Sequence, residues 1–328
     1  MRNENSGPSC ALSIIIPCYN EEESIAEAVE KITNVVKCRT ASFEILLIND
    51  GSRDGTAEVA QTIAEANDRV REVSHMRNFG QTQAYQSGFN RANGAYVILY
   101  SADLETPPDM ILKVVDELDK GADFVNTWRK DRWAPMHALK SSLANVVLNR
   151  ISKVAIRDRG SGLKGMRWEI AKSFSLYGEW HRFLPDYATM YTDRIVEIEV
   201  PFVDRKAGVS SYKGRVKTVS VILDLATVAF FLSSQKKPFL MLPGRLFGFT
   251  GTLLTIVGAF TTGWLVASKL FFGESLSERP LFLIAILLSV LGVTMIMVGV
   301  LGELVLALLK RVDGEPLVRK GRTRGPDR

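Results

Sequence analysis

The sequence predicts an α/β protein: a mostly parallel sheet with helices on both faces, then amphipathic helices at a membrane surface, then a hairpin of two transmembrane helices. Three observations carry this expectation. Apolar runs of strand length alternate with amphipathic helical stretches through residues 12–126. Residues 246–268 and 280–302 carry no charged side chain. Between these regions, an apolar stripe edged by lysine and arginine occupies 135–154, and near-continuous apolar character runs through 216–232.

Residues 12–16 read as a short buried strand, and 21–36 as a helix with Ile25, Ala28, Val29 and Ile32 on one face. Residues 43–48 are the next strand, and Asp54 is placed to cap a helix running to residue 66. Strand 70–73, helix 80–92 and strand 96–100 continue the alternation. Pro107 and Pro108 open a helix through residue 118, because proline is tolerated in a first helical turn. Strand 122–126 follows. Alternation of this kind favours a parallel sheet, whose ligands bind beyond the carboxyl ends of the strands. Polar clusters stand at three such ends: residues 17–21, 49–52 and 101–105.

At 135–154, Met136, Leu139, Leu143, Val146, Val147, Ile151 and Val154 form a stripe flanked by Lys140, Arg150 and Lys153. That pattern suits a helix lying in a membrane interface, although an ordinary core-facing helix shows the same stripe. Crossing a hydrocarbon layer of ~30 Å takes about 20 helical residues. A buried core helix explains one uncharged stretch of that length better than it explains two in tandem. Lys236, Lys237 and Arg245 flank the first span. Lys310, Arg311, Arg319, Lys320, Arg322, Arg324 and Arg328 outnumber Asp313, Glu315 and Asp327 after the second. The positive-inside rule then leaves both ends of the hairpin in the cytosol. The start of the chain is polar and does not read as a signal peptide. The expected divisions are a catalytic domain at 1–210, a juxtamembrane region at 211–240, the spans at 241–310 and a basic tail at 311–328. The net charge of +5 sits beside the spans, which fits a membrane surface and not nucleic acid. Cys10, Cys18 and Cys38 form no zinc or redox spacing.

Asp103 and Glu105 flank one residue just past a strand, a spacing that lets both carboxylates reach one cation. Mg²⁺ or Mn²⁺ favours such oxygen ligands and shares them with substrate phosphates. Asp50 precedes Gly51, a common turn pair; Tyr19 suits stacking on a base or simple packing. Arg77, Arg205 and Lys206 are candidates for holding phosphates. Residues 160–165 fit G-x-G-x-x-G, but they follow Arg157, Asp158 and Arg159 instead of a buried strand, so a nicotinamide site is not expected.

In this order the motifs resemble family 2 glycosyltransferases of the GT-A fold, in particular the polyisoprenyl-phosphate glycosyltransferases. Residues 13–21 (SIIIPCYNE) resemble the opening strand and donor loop, and 44–56 (EILLINDGSRDGT) the second donor motif. Residues 77–82 match R-N-x-G-Q, and 101–108 (SADLETPP) resemble the metal loop. Residues 128–132 with Ser141, Ala144 and Asn145 resemble the acceptor-side helix; Asp158 with Gly160 resembles D-x-G. Residues 181–185 and 205–212 resemble later acceptor and phosphate motifs. The resemblance implies that Pro17, Tyr19, Glu21, Asp50, Asp103 and Arg205 bind a nucleotide-sugar, and that Asp103 and Glu105 hold Mg²⁺ or Mn²⁺. It implies catalytic roles for Asp103 and Asp158, and acceptor-phosphate contacts from Arg129, Lys140, Ser141 and Arg182. This chain departs from the family pattern at Ser101 (usually Asp), Glu105 (commonly Gln), Ser142 (often Arg) and Ser211 (usually Lys).

The implied reaction is inverting transfer of a sugar, UDP-glucose being the default donor and GDP-mannose or another UDP-sugar the alternatives. The acceptor is an undecaprenyl or dolichyl phosphate at the cytosolic face of a membrane, expected to be a bacterial inner membrane. A competing reading is a degenerate transferase serving as a membrane scaffold. A processive polysaccharide synthase is disfavoured because Q-x-x-R-W is absent from the sequence. A second copy of the chain is a candidate partner through Gly248, Gly251, Gly258, Gly292, Gly299 and Gly302.

Overall fold

The computed structural model describes residues 7–130, 154–176, 178–203, 243–273 and 280–312. The stripe at 135–154 except its last residue, the apolar segment 216–232, and Lys140, Ser141, Ser142, Arg205 and Ser211 lie outside the described residues. The chain divides into two units, Met1–Leu232 and Ser233–Arg328.

The first unit runs β1 (Cys10–Cys18), α1 (Ile25–Lys37), β2 (Phe43–Asn49), α2 (Thr56–Ala66), β3 (Val70–Ser74), α3 (Gln81–Arg91), β4 (Gly94–Leu99), α4 (Met110–Asp119) and β5 (Phe124–Lys130). After the undescribed stretch come β6 (Lys164–Arg167), α5 (Trp168–Ser173), a 3₁₀ turn (Trp180–Phe183), α6 (Leu184–Ala188) and β7 (Ile195–Pro201). The seven strands stand in the order β3-β2-β1-β4-β6-β5-β7. All neighbours are parallel except that β6 runs antiparallel between β4 and β5.

Period-two alternation sorts the apolar strand residues onto two faces. Ile14 and Ile16 of β1 join one core with Ile25 and Ile32 of α1 and Ile111 and Val114 of α4. Ile15 joins the other, with Leu46, Ile48, Phe89 of α3 and Ala171 of α5. Both faces of the sheet are therefore dry, as the near-continuous apolar run at 12–16 requires.

Helix starts shift from the sequence expectation for local reasons. The first helix begins at Ile25 and not residue 21, because residues 20–22 are tied to the next loop. Glu21 N–H donates to Thr56 Oγ1 (2.8 Å), and Gly55 N–H donates to the Glu22 carboxylate (2.7 Å). Asp54 accepts the Thr56 N–H at the head of α2 (3.1 Å). Pro107 and Pro108 form a preceding turn, their carbonyls accepting from Met110 (3.1 Å) and Ile111 (3.0 Å).

The second unit holds α7 (Pro243–Phe272) and α8 (Pro280–Val312). Their stretches Leu246–Phe272 and Pro280–Gly302 have mean hydropathies of 1.5 and 2.9 and are long enough to cross a membrane. The two backbones touch along glycines. A Cβ added at Gly251 would meet the Gly292 carbonyl oxygen at 2.6 Å, and one at Gly292 would meet that of Gly251 at 2.6 Å. Thr255 and Ser289 return their hydroxyls to carbonyls one turn back, at 2.8 and 3.0 Å, so these two donors are satisfied within their own helices. Phe260, Trp264 and Leu283 face outward. Gly251, Gly258, Gly292 and Gly299, expected as possible self-association positions, serve packing within this hairpin.

Candidate active site

The strand order reverses between β1 and β4: β2 and β3 lie to one side of β1, and β4 to the other. Loops leaving the carboxyl ends of β1 and β4 diverge there, which opens a crevice in folds of this kind. A cleft of about 360 Å³ occupies the place, lined by Pro17, Tyr19 and Glu21 after β1, Asp50 after β2, and Ser101, Asp103 and Glu105 after β4, with Arg129. Among the described residues, the only non-glycine residues with positive φ are Asn20 (56°) and Leu104 (54°), one in each of the two loops. Left-handed backbone is uncommon for a branched side chain such as leucine, and it concentrates at functional loops.

Asp50 is buried and organises its surroundings. Its Oδ1 accepts the Phe79 N–H (2.9 Å) and the His75 Nδ1–H (2.8 Å), and its Oδ2 accepts the Gly80 N–H (2.8 Å). The imidazole's other nitrogen faces the Ser87 hydroxyl at 2.9 Å. The R-N-x-G-Q segment is thus folded around the aspartate of the second donor motif. Gly51 is required for this approach: its φ is +63°, and a Cβ would lie 2.3 Å from the Arg77 backbone carbon. Arg77 itself lies over the Phe79 ring at 4.8 Å.

The loop after β4 is held by Tyr100, whose hydroxyl donates to the Thr106 carbonyl. Burial pushes the Tyr100 phenol up, with Asp103 and Asp109 adding to the shift, so it remains a donor. The Asp103 carboxylate accepts the Glu105 N–H at 3.3 Å, which sets the two acids beside each other around left-handed Leu104. Cys18 also lines the cleft, but burial raises its thiol well above the ordinary value, with Glu21 and Glu72 adding to that, so it is a packing residue and not a nucleophile.

Arg129, near the end of β5, joins this acidic loop to Asp158. Its Nε and Nη2 donate to the two oxygens of Asp158 (2.7 and 3.1 Å), and its Nη1 donates to Glu105 Oε2 (2.9 Å). Asp158 Oδ1 also accepts the Gly160 N–H (3.0 Å). Behind them lies a polar layer in which Asn126 and Lys164 are buried and Glu197 is half-buried. Glu197 of β7 accepts the backbone N–H of Arg157 (3.0 Å) and Asp158 (3.3 Å) and the Asn126 amide (2.9 Å). Lys164 of β6 donates to the Ser161 carbonyl, and burial pushes its amine down to about 8.

Asp103 and Glu105 fit a hard divalent cation: two carboxylates on one short loop, open to a cleft large enough for a diphosphate. Among the described residues, no group of three or more His, Cys, Asp or Glu side chains could hold a metal by itself. A cation at this loop would need further oxygens from elsewhere, and Mg²⁺ and its like commonly take them from substrate phosphates.

The structure brings Pro17, Tyr19, Glu21, Asp50, Asp103, Glu105 and Arg129 to one cleft. Asp158 reaches it through Arg129. Arg182 is not among the lining residues; it is partly exposed and pairs with Glu179 at 3.3 Å. Residues 160–165 do not form a strand-to-helix turn: Gly160 and Gly162 line the cleft and the segment runs into β6. The polar layer of Asn126, Lys164 and Glu197 escaped sequence reasoning. Its legible signal was the alternation of β7, Ile-Val-Glu-Ile-Glu-Val, which puts Glu197 and Glu199 on one face.

The family model for Glycosyl transferase family 2 matches residues 13–170. A dodecaprenyl-phosphate galacturonate synthase of Rhizobium johnstonii is 33% identical over 314 residues, covering 94% of this chain and 91% of the relative. An undecaprenyl-phosphate 4-deoxy-4-formamido-L-arabinose transferase of Proteus mirabilis is 30% identical over 310 residues, covering 93% and 91%. Among solved structures, glucosyl-3-phosphoglycerate synthase of Mycobacterium tuberculosis with Mn²⁺, UDP and phosphoglyceric acid superposes with a TM-score of 0.53. It is 16% identical and covers 70% of this chain and 81% of that one.

Proposed function

Because the chain belongs to glycosyl transferase family 2, within its polyisoprenyl-phosphate branch, we propose that it moves a sugar, with inversion, from a nucleotide-sugar to undecaprenyl phosphate at the cytosolic face of a bacterial inner membrane. The observation that carries this is the end-to-end match to a dodecaprenyl-phosphate sugar synthase, which spans the cleft-bearing unit and both apolar helices alike. The relatives' names point to galacturonate and formamidoarabinose and not to glucose, so UDP-galacturonate and a UDP-linked formamidoarabinose stand ahead of UDP-glucose.

A lipid phosphate oxygen attacks the anomeric carbon from the face opposite the leaving group. The bond from that carbon to the diphosphate breaks, and its electron pair leaves with the nucleoside diphosphate. The acceptor is already an anion, so no proton has to be removed. Asp158 then orients the acceptor side instead of acting as a strong base. Positioning and charge stabilisation supply most of the barrier reduction. Asp103 and Glu105 would hold the divalent cation, which when bound neutralises charge on the leaving diphosphate. Tyr19 and Asp50, which line the cleft, are carried as nucleotide contacts by resemblance, and so are Arg205, Lys140, Ser141 and Arg182 as phosphate contacts.

The test is transfer from a panel of labelled nucleotide-sugars to undecaprenyl phosphate by the full chain in detergent, with Mg²⁺ and with Mn²⁺. A labelled lipid formed with one donor and abolished by EDTA supports the reading and names the sugar. Folded protein that yields no lipid product from any donor, with undecaprenyl or dolichyl phosphate, refutes it.

A further inference from the structure

We propose that Arg129 is a positioning residue that ties Asp158 to the cation site, so that loading a divalent cation on the Asp103–Glu105 loop and setting the Asp158 side chain are one linked event. The placement of the cation rests on the function proposed above; the coupling rests on the geometry of Arg129.

One guanidinium serves two carboxylates from different segments. It grips Asp158 with two nitrogens (2.7 and 3.1 Å) and Glu105 with a third (2.9 Å). The Arg129 side chain is 3% exposed, Asp158 4% and Glu105 17%, so solvent screens these pairs little. One positive charge is shared between two carboxylates in a setting with little screening, so neutralising either one strengthens its hold on the other. The backbone around Asp158 has its own anchors. Glu197 accepts N–H groups of residues 157 and 158, and Arg159 is locked to buried Asp186 at 2.6 and 2.8 Å. What Arg129 governs is therefore the orientation of the Asp158 carboxylate and not the path of its loop.

A cation on Glu105 withdraws negative charge from Arg129 and leaves the guanidinium to Asp158. Conversely, the charge of Asp158 weakens the hold of Arg129 on Glu105, which favours a cation there. Linkage makes the two effects equal. The departure at position 105 acquires a purpose here: a glutamate can pair with Arg129 through a full charge, which a glutamine could not.

Mn²⁺ affinity, read from the electron paramagnetic resonance of free Mn²⁺ with UDP present, tests this on the full chain in detergent. Asp158→Asn, which leaves both proposed cation ligands in place, is expected to weaken Mn²⁺ binding about five- to tenfold. In an Arg129→Met background the same change should move the affinity by less than about twofold. An equal loss in both backgrounds would mean a direct field effect and overturns the proposal, as does no loss in the wild-type background or a wild type that binds no Mn²⁺. If Arg129→Met fails to fold, Arg129→Lys keeps the charge but reaches one carboxylate at a time, and the coupling must fall by at least half; full coupling in that variant overturns the proposal. Coupling without sugar transfer from any donor would sink the proposed function and leave this inference standing. Transfer without coupling would do the reverse.

Discussion

Lys164 carries an amine into the layer behind the cleft, where it is 4% exposed. Burial lowers it from 10.5 to about 8, Arg129 pushes the same way, and Asp158 and Glu197 oppose. Its folded value lies below its unfolded one, so between pH 8 and 10.5 the unfolded chain binds a proton that the folded chain does not. Stability then rises with pH through that window and is lost as pH falls toward 8, by on the order of 3 kcal/mol. Thermal unfolding in detergent should show the Lys164→Met variant converging on or falling behind wild type as pH rises from 8 to 10.5. A constant offset between them across that range would contradict the buried-amine reading. Asp103 gives a contrasting case. It is partly exposed at the cleft, so Asp103→Ala should leave the melting temperature nearly unchanged. Turnover should drop at least about a hundredfold and Mn²⁺ affinity should fall with it, because a charge-neutralising contact at the leaving group is worth several kcal/mol.

At the scale of elements, α7 and α8 separate glycines that matter from glycines that do not. Gly251 faces the α8 backbone, where an added Cβ would meet the Gly292 oxygen at 2.6 Å, whereas Gly248 has nothing within 4 Å. Gly251→Ala should therefore lower the melting temperature in detergent and expose the hairpin to protease, while Gly248→Ala, which removes backbone freedom at no steric cost, should be neutral or stabilising. Equal behaviour of the two would refute the packing seen here. These helices were legible from composition, and so were β1 to β4, because buried parallel strands and amphipathic helices have strong apolar periods. β6 was not. Its four residues, Lys-Gly-Met-Arg, include one apolar side chain, and only its slot between β4 and β5 makes it a strand. The same gap explains the site. Residues at strand ends, from Pro17 to Glu105, could be collected from chain order. The grip of Arg129 on Glu105 and Asp158 depends on β6 returning the chain beside β5, which no local period announces.

For the whole molecule, the two apolar stretches constrain sidedness more firmly than either does alone. Backbone groups in lipid must be satisfied within each helix, so a segment of this length either crosses or stays out. Two crossings would return the chain to its starting side, and under the proposed reading the basic residues flanking both outer ends put that side in the cytosol. The three cysteines make this measurable, because only Cys38 is exposed, Cys18 being buried and Cys10 partly so. An impermeant maleimide should leave Cys38 unlabelled in intact spheroplasts and label it after permeabilisation. In a Cys38→Ser background, Ser277→Cys, between the two apolar stretches in the sequence, should label without permeabilisation. Labels appearing together from the outside would invert or abolish the proposed arrangement. Both labels appearing only after permeabilisation would mean that the hairpin does not cross, and the protein would then have to meet its lipid acceptor from one leaflet without spanning.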